Sequence, residues 1–432
     1  MGSPHSVTAT AMPFPLPSGK FTGGTISVPG SKSITQRALL IAALAEGNSR
    51  LTGALDSDDR RYLESTLAAL GIEIHSTPTE INVCGGGGHF GRVKETLYIG
   101  NAGTAMRFLT PALLLGEGSY VIDGNDRMRR RPVGDLLGAL REAGAEIACL
   151  REEGFPPLKI QALGLHGGRV RLRGDSSSQF LSGLLLAGPY AEKPLEIAIE
   201  GELVSRPYVD MTIAVMKAFG VECGRVGDEL FAPGRSPYRG RDYAIEPDAS
   251  SASYWFALAA LHGATLVIPG LSFSALQGDI EFTRDLTRLG VRVEETATGL
   301  SVTGTNTLHG GTFAYGDRPD VAPTLAALAL FAERPTRIEN IAHLRLKESD
   351  RIAVLADGLR ALGAGVEEAP DALTIHPAKH YHAAALAVHD DHRMAMAFAV
   401  AATKIPGITI DDAACVNKSY PDFFAQLARR IS

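Results

Sequence analysis

Residues 26–45 read ISVPGSKSITQRALLIAALA: a short apolar strand, a break of Pro, Gly and Ser carrying a lysine, then a run of Ala and Leu without a polar face. Five further stretches share this build: LYIGNAGTAMRFLTPALLL (97–115), VRLRGDSSSQFLSGLLLAG (170–188), YAIEPDASSASYWFALAAL (243–261), FAYGDRPDVAPTLAALALFA (313–332) and LAVHDDHRMAMAFAVAAT (386–403). Anchored on Gly30, Gly100, Gly174, Pro247, Gly316 and Asp390, they recur at intervals of 70, 74, 73, 69 and 74 residues. A period of that length exceeds the roughly 20–50 residues of a solenoid repeat, so compact α/β units are expected instead of a rod.

A second motif falls between them, an amphipathic helix closed by glycine and followed by a strand: LAALGIEIH (67–75), LREAGAEIA (140–148), MKAFGVECG (216–224), LTRLGVRVE (286–294) and LRALGAGVE (359–367). The glycine falls where a helix C-terminus needs a left-handed residue. Each unit thus reads strand, helix, strand, helix, strand. The first helix is apolar on nearly every side and belongs in the interior; the second carries charge and belongs outside. Buried helices ringed by sheets and outer helices give an inside-out α/β arrangement, with three units in each of two domains. It also brings several helix N-termini to similar places, where backbone N–H groups favour anions.

The bulk properties agree with a globular pair of domains. The chain has 432 residues, 45% hydrophobic and 21% charged, too long for one ordinary core. A net charge of −6 argues against nucleic-acid binding, which needs a basic surface. Cys84, Cys149, Cys223 and Cys415 are far apart and form no CxxC pair, so neither a zinc site nor a disulfide framework is expected, and a reducing cytoplasm fits. No apolar run reaches the roughly 18 residues that span a bilayer. The Pro-rich start lacks a signal-peptide core; Met1, Gly2 and Ser6 nominally fit a myristoylation pattern, but an unstructured start is the better reading.

Chemistry concentrates in the breaks. Lys32 and Ser33, with Arg37 one turn on, suit a phosphate or carboxylate, although no P-loop spacing is present. Asn101, Gly103, Thr104 and Arg107 repeat the arrangement, and Gly103 would let a ligand touch the backbone. Of the four arginines in DRMRRRP (126–132), at least one is expected to grip an anion and the other three to lie at the surface. Ser177, Ser178 and Gln179 open a buried helix with neutral donors. In the second half, Asp320 lies at a helix start, and Lys347 and Arg351 stand four apart with Glu348 between them, sharing a face if helical. Asp391, His392 and Arg393 lead a further helix, and Lys418 precedes the C-terminal one. Taken singly, each is equally a cap, a turn or a solvated pair. Together they describe cations beside Gly, Ser and Thr at element tips in both halves: a site for two anionic ligands, closed between domains.

At these residues the sequence resembles the EPSP synthase family of enolpyruvyl transferases, from about Gly24 to the C-terminus. The carrying motifs are PGSKSITQRALL, GNAGTAMR, RMRRRPVGDL, SSQFLSGLL, EPDASSASYW, LRLKESDRI, DHRMAMAFA and KSYPDFF, in that order. The resemblance implies a two-domain inside-out α/β barrel of six βαβαββ-type units, residues 30–245 forming one domain and 1–29 with 246–432 the other. It implies transfer of the enolpyruvyl group of phosphoenolpyruvate (PEP) to the 5-hydroxyl of shikimate 3-phosphate, releasing phosphate, by a cytoplasmic monomer with no metal, cofactor, nucleic acid or membrane. Lys32, Ser33, Arg37, Ser177, Ser178, Gln179, Ser205, Tyr208, Asp320, His343 and Lys347 match contacts to shikimate 3-phosphate. Lys32, Asn101, Gly103, Arg131, Gln179, Arg351, His392, Arg393 and Lys418 match the PEP side. Asp320 corresponds to the acceptor of the hydroxyl proton; Glu348 or Lys32 protonates the methylene carbon. Glyphosate, which competes with PEP in this family, is longer than PEP, so a methyl on Gly103 is expected to hinder it more.

Two positions depart from the family pattern: His343 stands where many members have Asn, and Phe108 where some have Pro. The nearest alternative, UDP-N-acetylglucosamine enolpyruvyl transferase, carries a reactive cysteine in its Arg-Pro loop, whereas the stretch 123–135 has none. A non-catalytic anion-binding repeat protein is the alternative of another class.

Overall fold

The computed structural model describes residues 13–305 and 307–432, so Met1, Gly2 and Ser6 lie outside the described residues. The periodicity resolves into six small sheets. In five of them four strands follow one order. The unit beginning at Leu97–Tyr98 shows it: that strand lies parallel to Gly118–Asp123, which pairs antiparallel with Leu158–Ala162, with Glu146–Cys149 at the edge. A buried helix joins the first two strands and an outer helix leads into the last pair, giving βαβαββ.

The buried and outer helices differ as their sequences require. Every residue of Gly103–Ala112, Ala322–Ala329 and His392–Ala402 is buried. The outer helix Asp58–Ala69 buries only the stripe Asp59, Arg60, Leu63, Thr66 and Leu67. The outer-helix glycines Gly71, Gly144, Gly220, Gly290 and Gly363 all have φ between +85° and +102°, the left-handed C-terminal position expected of them.

Two apolar cores form around the buried helices. One gathers residues from Ile34 to Ile245; the other gathers Leu16, Phe21 and Ile26 with residues from Ala249 to Leu427. The chain passes between them twice, each time in a strand-to-helix break. Gly24–Thr25 pairs with Thr265–Pro269 in one half, and the following helix Lys32–Leu44 enters the other. Asp242–Ala244 pairs with Glu46–Thr52, and the following helix Ala249–His262 goes the opposite way. The two crossings run side by side: Ser31 N–H donates to Glu246 O at 2.9 Å and Asp248 N–H to Pro29 O at 2.8 Å. A Cβ on Gly30 would stand 1.8 Å from Gly53 O, so only glycine fits there.

The sixth unit departs from the expected pattern. Among the described residues it has Ala385–Leu386, the buried helix and Thr409–Ile410, and then a short helical turn leads to Phe423–Ala428 in place of the outer helix and hairpin. Its third strand is Phe14–Pro15 from the chain's beginning, antiparallel to Thr409–Ile410. No helix among the described residues is long and apolar enough to cross a membrane.

Candidate active site

Helix N-termini from both halves meet at one interdomain cavity. Ser31 caps Lys32–Leu44, Ser177 caps Ser178–Ala187, Asp350 caps Arg351–Ala361 and Asp391 caps His392–Ala402, each side chain accepting from a first-turn N–H. Gly103 begins a further helix, and Asp320 sits in the turn Pro319–Val321 that leads into Ala322–Ala329. The cavity is lined by five cations (Lys32, Arg131, Lys347, Arg351, Arg393), three carboxylates (Asp59, Asp320, Glu348) and the neutral Ser33, Gly103, Thr104, Ser178, Gln179, Ser205 and Tyr208. An adjoining cleft, sharing Arg131, Gln179 and Lys347, is walled by Arg107, Ser177 and His343.

Arg351 is the hub. It is 1% exposed and donates to Asp391 through Nε (2.8 Å) and Nη2 (3.2 Å), to Glu348 through Nη2 (2.9 Å) and to Asp320 through Nη1 (3.0 Å). Arg393 Nη2 donates to the other Asp320 oxygen at 2.6 Å. Burial alone would raise the Asp320 carboxyl, but Arg393, Arg351, Lys347 and Lys32 outweigh it and hold the group well below the usual carboxylate range. Glu348 is depressed in the same way: Arg131, Arg351, Lys418 and Lys32 outweigh burial. Burial lowers Lys32 against the pull of Asp59, and lowers Lys347 to about 8 against the pull of Asp320. Both acids are therefore ionised, and both lysines are made more acidic.

Several expected residues stand one layer behind the wall. Arg37 spends its guanidinium on Thr212, Ser182, Ser33 O and Tyr208 O, so it orients two lining residues. Its guanidinium carbon lies 5.1 Å from the centre of the buried Phe108 ring, which gives the unusual Phe108 a stacking role beneath the Gly103 turn. Asn101 holds Arg131 through its O (3.2 Å) and Oδ1 (3.3 Å), accepts from Lys418 Nζ at 2.6 Å and donates to Asp390 at 3.2 Å. Lys418 also donates to Asp59 at 2.9 Å, tying the C-terminal segment to the opposite half. His392 is fully buried, has neither ring nitrogen bonded and does not line the cavity. His343 is buried with Nε2 unbonded, and desolvation pushes it down to about 3, so it is neutral.

Three expectations change. Lys347 ends a short turn while the helix begins at Arg351, so the pair shares a cavity wall and not a helix face. Of the arginines 127–131, Arg131 lines the cavity as expected, yet Arg127 is not a surface group: its Nη2 donates across the cleft to Lys347 O at 2.6 Å, while Arg129 pairs with Asp123. A Cβ on Gly103 would first meet Arg131 Nη2 at 2.4 Å and Arg107 Nη1 at 2.6 Å, so two guanidiniums lie between that methyl and open space. Asp59 escaped the sequence reading, because an acid in the first turn of an outer helix looks like ordinary dipole complementation.

The charged cavity holds only about 40 Å³ of free space, against roughly 300 Å³ or more for an ordinary small-molecule site. A larger hollow of about 590 Å³ opens behind the crossings, but its Arg61 is paired with Asp56 at 3.0 Å and no cluster of cations faces it. The chemistry lies in the small cavity, where the cations are turned onto the carboxylates.

Comparison with known proteins agrees with this architecture. Residues 18–427 match the family described as EPSP synthase (3-phosphoshikimate 1-carboxyvinyltransferase). The chain belongs to the EPSP synthase family. A 3-phosphoshikimate 1-carboxyvinyltransferase of a Sulfurovum species is 46% identical over 414 residues, covering 94% of this chain and 96% of that protein. One from Vibrio atlanticus is 44% identical over 409 residues, covering the same proportions. Among solved structures, EPSP synthase from Acinetobacter baumannii superposes with a TM-score of 0.80 at 29% identity, over 97% of this chain and 98% of that one. The enolpyruvyl transferase NikO from Streptomyces tendae has a TM-score of 0.78 at 20% identity, over 97% of each chain, and shares the fold.

Proposed function

We propose that this cavity transfers the enolpyruvyl group of PEP to the 5-hydroxyl of shikimate 3-phosphate, releasing phosphate. The observation that carries the reading is the surplus of cations over carboxylates, five against three, in a cavity walled by both halves, with Lys32, Arg351 and Arg393 in the first turns of their helices. Two multiply charged anions that repel each other need such a preorganised field.

In this reading, residues 30–245 present Ser33, Ser178, Gln179, Ser205 and Tyr208 to the phosphorylated acceptor, with Ser177 in the adjoining cleft. Residues 1–29 with 246–432 add Lys347, Asp320 and neutral His343 to it. Arg131, Arg351 and Arg393 face PEP, with Lys32 between the two ligands. Arg37, Asn101 and Lys418 act through the groups they hold. His392 is assigned packing beneath Arg393. The site needs no residue from a second subunit, so the enzyme is proposed to act as a monomer, and four separate free thiols accord with the cytoplasm.

The charge state of the ligand-free site gives the sequence of events. The cations that depress Asp320 and Glu348 are those an incoming anion recruits. Loading draws Arg351 and Arg393 toward PEP, so both carboxyls rise. Asp320 then becomes basic enough to take the 5-hydroxyl proton as the oxygen attacks C2 of PEP. Glu348 becomes able to hold a proton and pass it to the methylene carbon, with Lys32 as the neighbouring proton source. The tetrahedral adduct loses phosphate when the methyl group returns a proton and the vinyl double bond reforms. The residues themselves supply every proton transfer, and neither a metal nor an organic cofactor enters a step.

The test is phosphate release from PEP with shikimate 3-phosphate, set beside UDP-N-acetylglucosamine as rival acceptor. Release with the first alone is expected. Release with the second would favour the alternative transferase, and none with either would favour a non-catalytic anion-binding protein.

A further inference from the structure

The edge of the cavity formed by Ser205–Tyr208 is built across the seam between the halves. Ser205 adopts a left-handed conformation, φ +54°, rare outside glycine. That turn lets its N–H donate to Gly316 O at 3.0 Å and the Arg206 N–H to Asp317 Oδ1 at 3.3 Å, both acceptors in the other half. A Cβ on Gly278 would stand 2.4 Å from the Pro207 ring, so the two surfaces touch there with no room to spare. Next to it the Tyr208 hydroxyl donates to Asp279, 3.1 Å from Oδ1 and 3.2 Å from Oδ2. Tyr208 and Ser205 line the cavity; Asp279 does not.

Asp279 is 4% exposed and has no cationic hydrogen-bond partner among the described residues; besides Tyr208 only the Ser250 hydroxyl donates to it. Burial raises its carboxyl to about 6, with Asp320 and Asp248 adding to the rise and Arg393 opposing it. A buried acid kept without a counter-ion of its own is costly, and its one link to the cavity runs through Tyr208.

We propose that Asp279 is a positioning residue: it grips the Tyr208 hydroxyl from the opposite half, so that the Ser205–Tyr208 wall of the acceptor pocket takes its final form only when the halves meet. The inference rests on the reading that the cavity takes a phosphorylated acceptor. Opening removes the acceptor from the tyrosine hydroxyl and leaves Tyr208 free to turn; closing fixes it. Asp279 thereby acts chiefly on acceptor binding.

The experiment compares the intact wild-type chain with Asp279→Ala, Tyr208→Phe and the double variant. Wild-type turnover with shikimate 3-phosphate and PEP tests the functional reading by itself. The two single variants are expected to raise the KM for the acceptor roughly 10–100-fold, the loss of a hydrogen bond to a charged group, while the KM for PEP stays within about threefold. The double variant should lose no more than either single one. Titration calorimetry with shikimate 3-phosphate alone reads the same coupling as binding, without turnover. Should Asp279→Ala fold poorly by thermal melting, Asp279→Asn keeps the shape and one acceptor oxygen and is expected to restore most acceptor affinity. Losses that multiply in the double variant, or an equal rise in both KM values, would overturn the proposal.

Discussion

Replacing Asp320 by Asn separates binding from chemistry, and the structure gives both magnitudes. Asp320 accepts from Arg351 Nη1 at 3.0 Å and Arg393 Nη2 at 2.6 Å. The amide keeps one acceptor oxygen, whereas its NH2 group faces a guanidinium and cannot pair with it. Arg351 keeps its bonds to Asp391 and Glu348, so the fold survives and the melting temperature changes little. The cavity surplus of cations grows by one, so affinity for both anions is expected to hold or tighten. Turnover instead loses a general base, an effect of about 10²–10⁴-fold, or roughly 2.7–5.5 kcal/mol in the barrier. Phosphate-release kinetics measure kcat, and calorimetry with shikimate 3-phosphate measures binding. Turnover within about threefold of wild type, or weakened binding with kcat intact, would refute the assignment of Asp320 as the base.

Other consequences follow from the same geometry. Lys347, lowered to about 8, carries its charge below that pH and loses it above; kcat/KM for the acceptor should therefore fall as pH rises through about 8, and Lys347→Met should remove that limb. Because the closed cavity offers only about 40 Å³, ligands must enter an open form; small-angle scattering should show a smaller radius of gyration with both substrates than without, and an unchanged radius counts against interdomain binding. Gly103→Ala pushes Arg131 and Arg107 toward the cavity, so inhibition titrations should find glyphosate, the longer ligand, weakened more than PEP; equal losses would mean that Gly103 only shapes the turn.

Most of the fold is legible in the sequence because its decisive signal is repeated six times. Buried helices such as His392–Ala402 have no polar side to misread, and the outer-helix glycines mark their own left-handed ends. The sixth unit lacks the helix–glycine–strand motif, a mark of its irregularity that the expectation of six like units passes over. Its third strand, Phe14–Pro15, is two residues of a proline-rich start and has no pattern to read. In the site, residues in the breaks are legible since Gly, Ser and cations at helix starts narrow the chemistry. What is not legible depends on juxtaposition. Asp59 looks like a helix-start acid until Lys32 and Lys418 are seen upon it. Arg127 looks like one of four surface arginines until it reaches Lys347 O. Asn101 and Arg37 have the right chemistry, but only packing tells that they stand behind the wall.

The central claim is that one cavity moves a three-carbon enol fragment between two anions, each held by residues of both halves. Carbon-labelled PEP, incubated with shikimate 3-phosphate and followed by NMR, tests it most directly. The account predicts that the label appears as a vinyl ether on the acceptor's 5-hydroxyl while free phosphate accumulates in equal amount. Label recovered as pyruvate, or left in PEP while the acceptor remains bound, would contradict it.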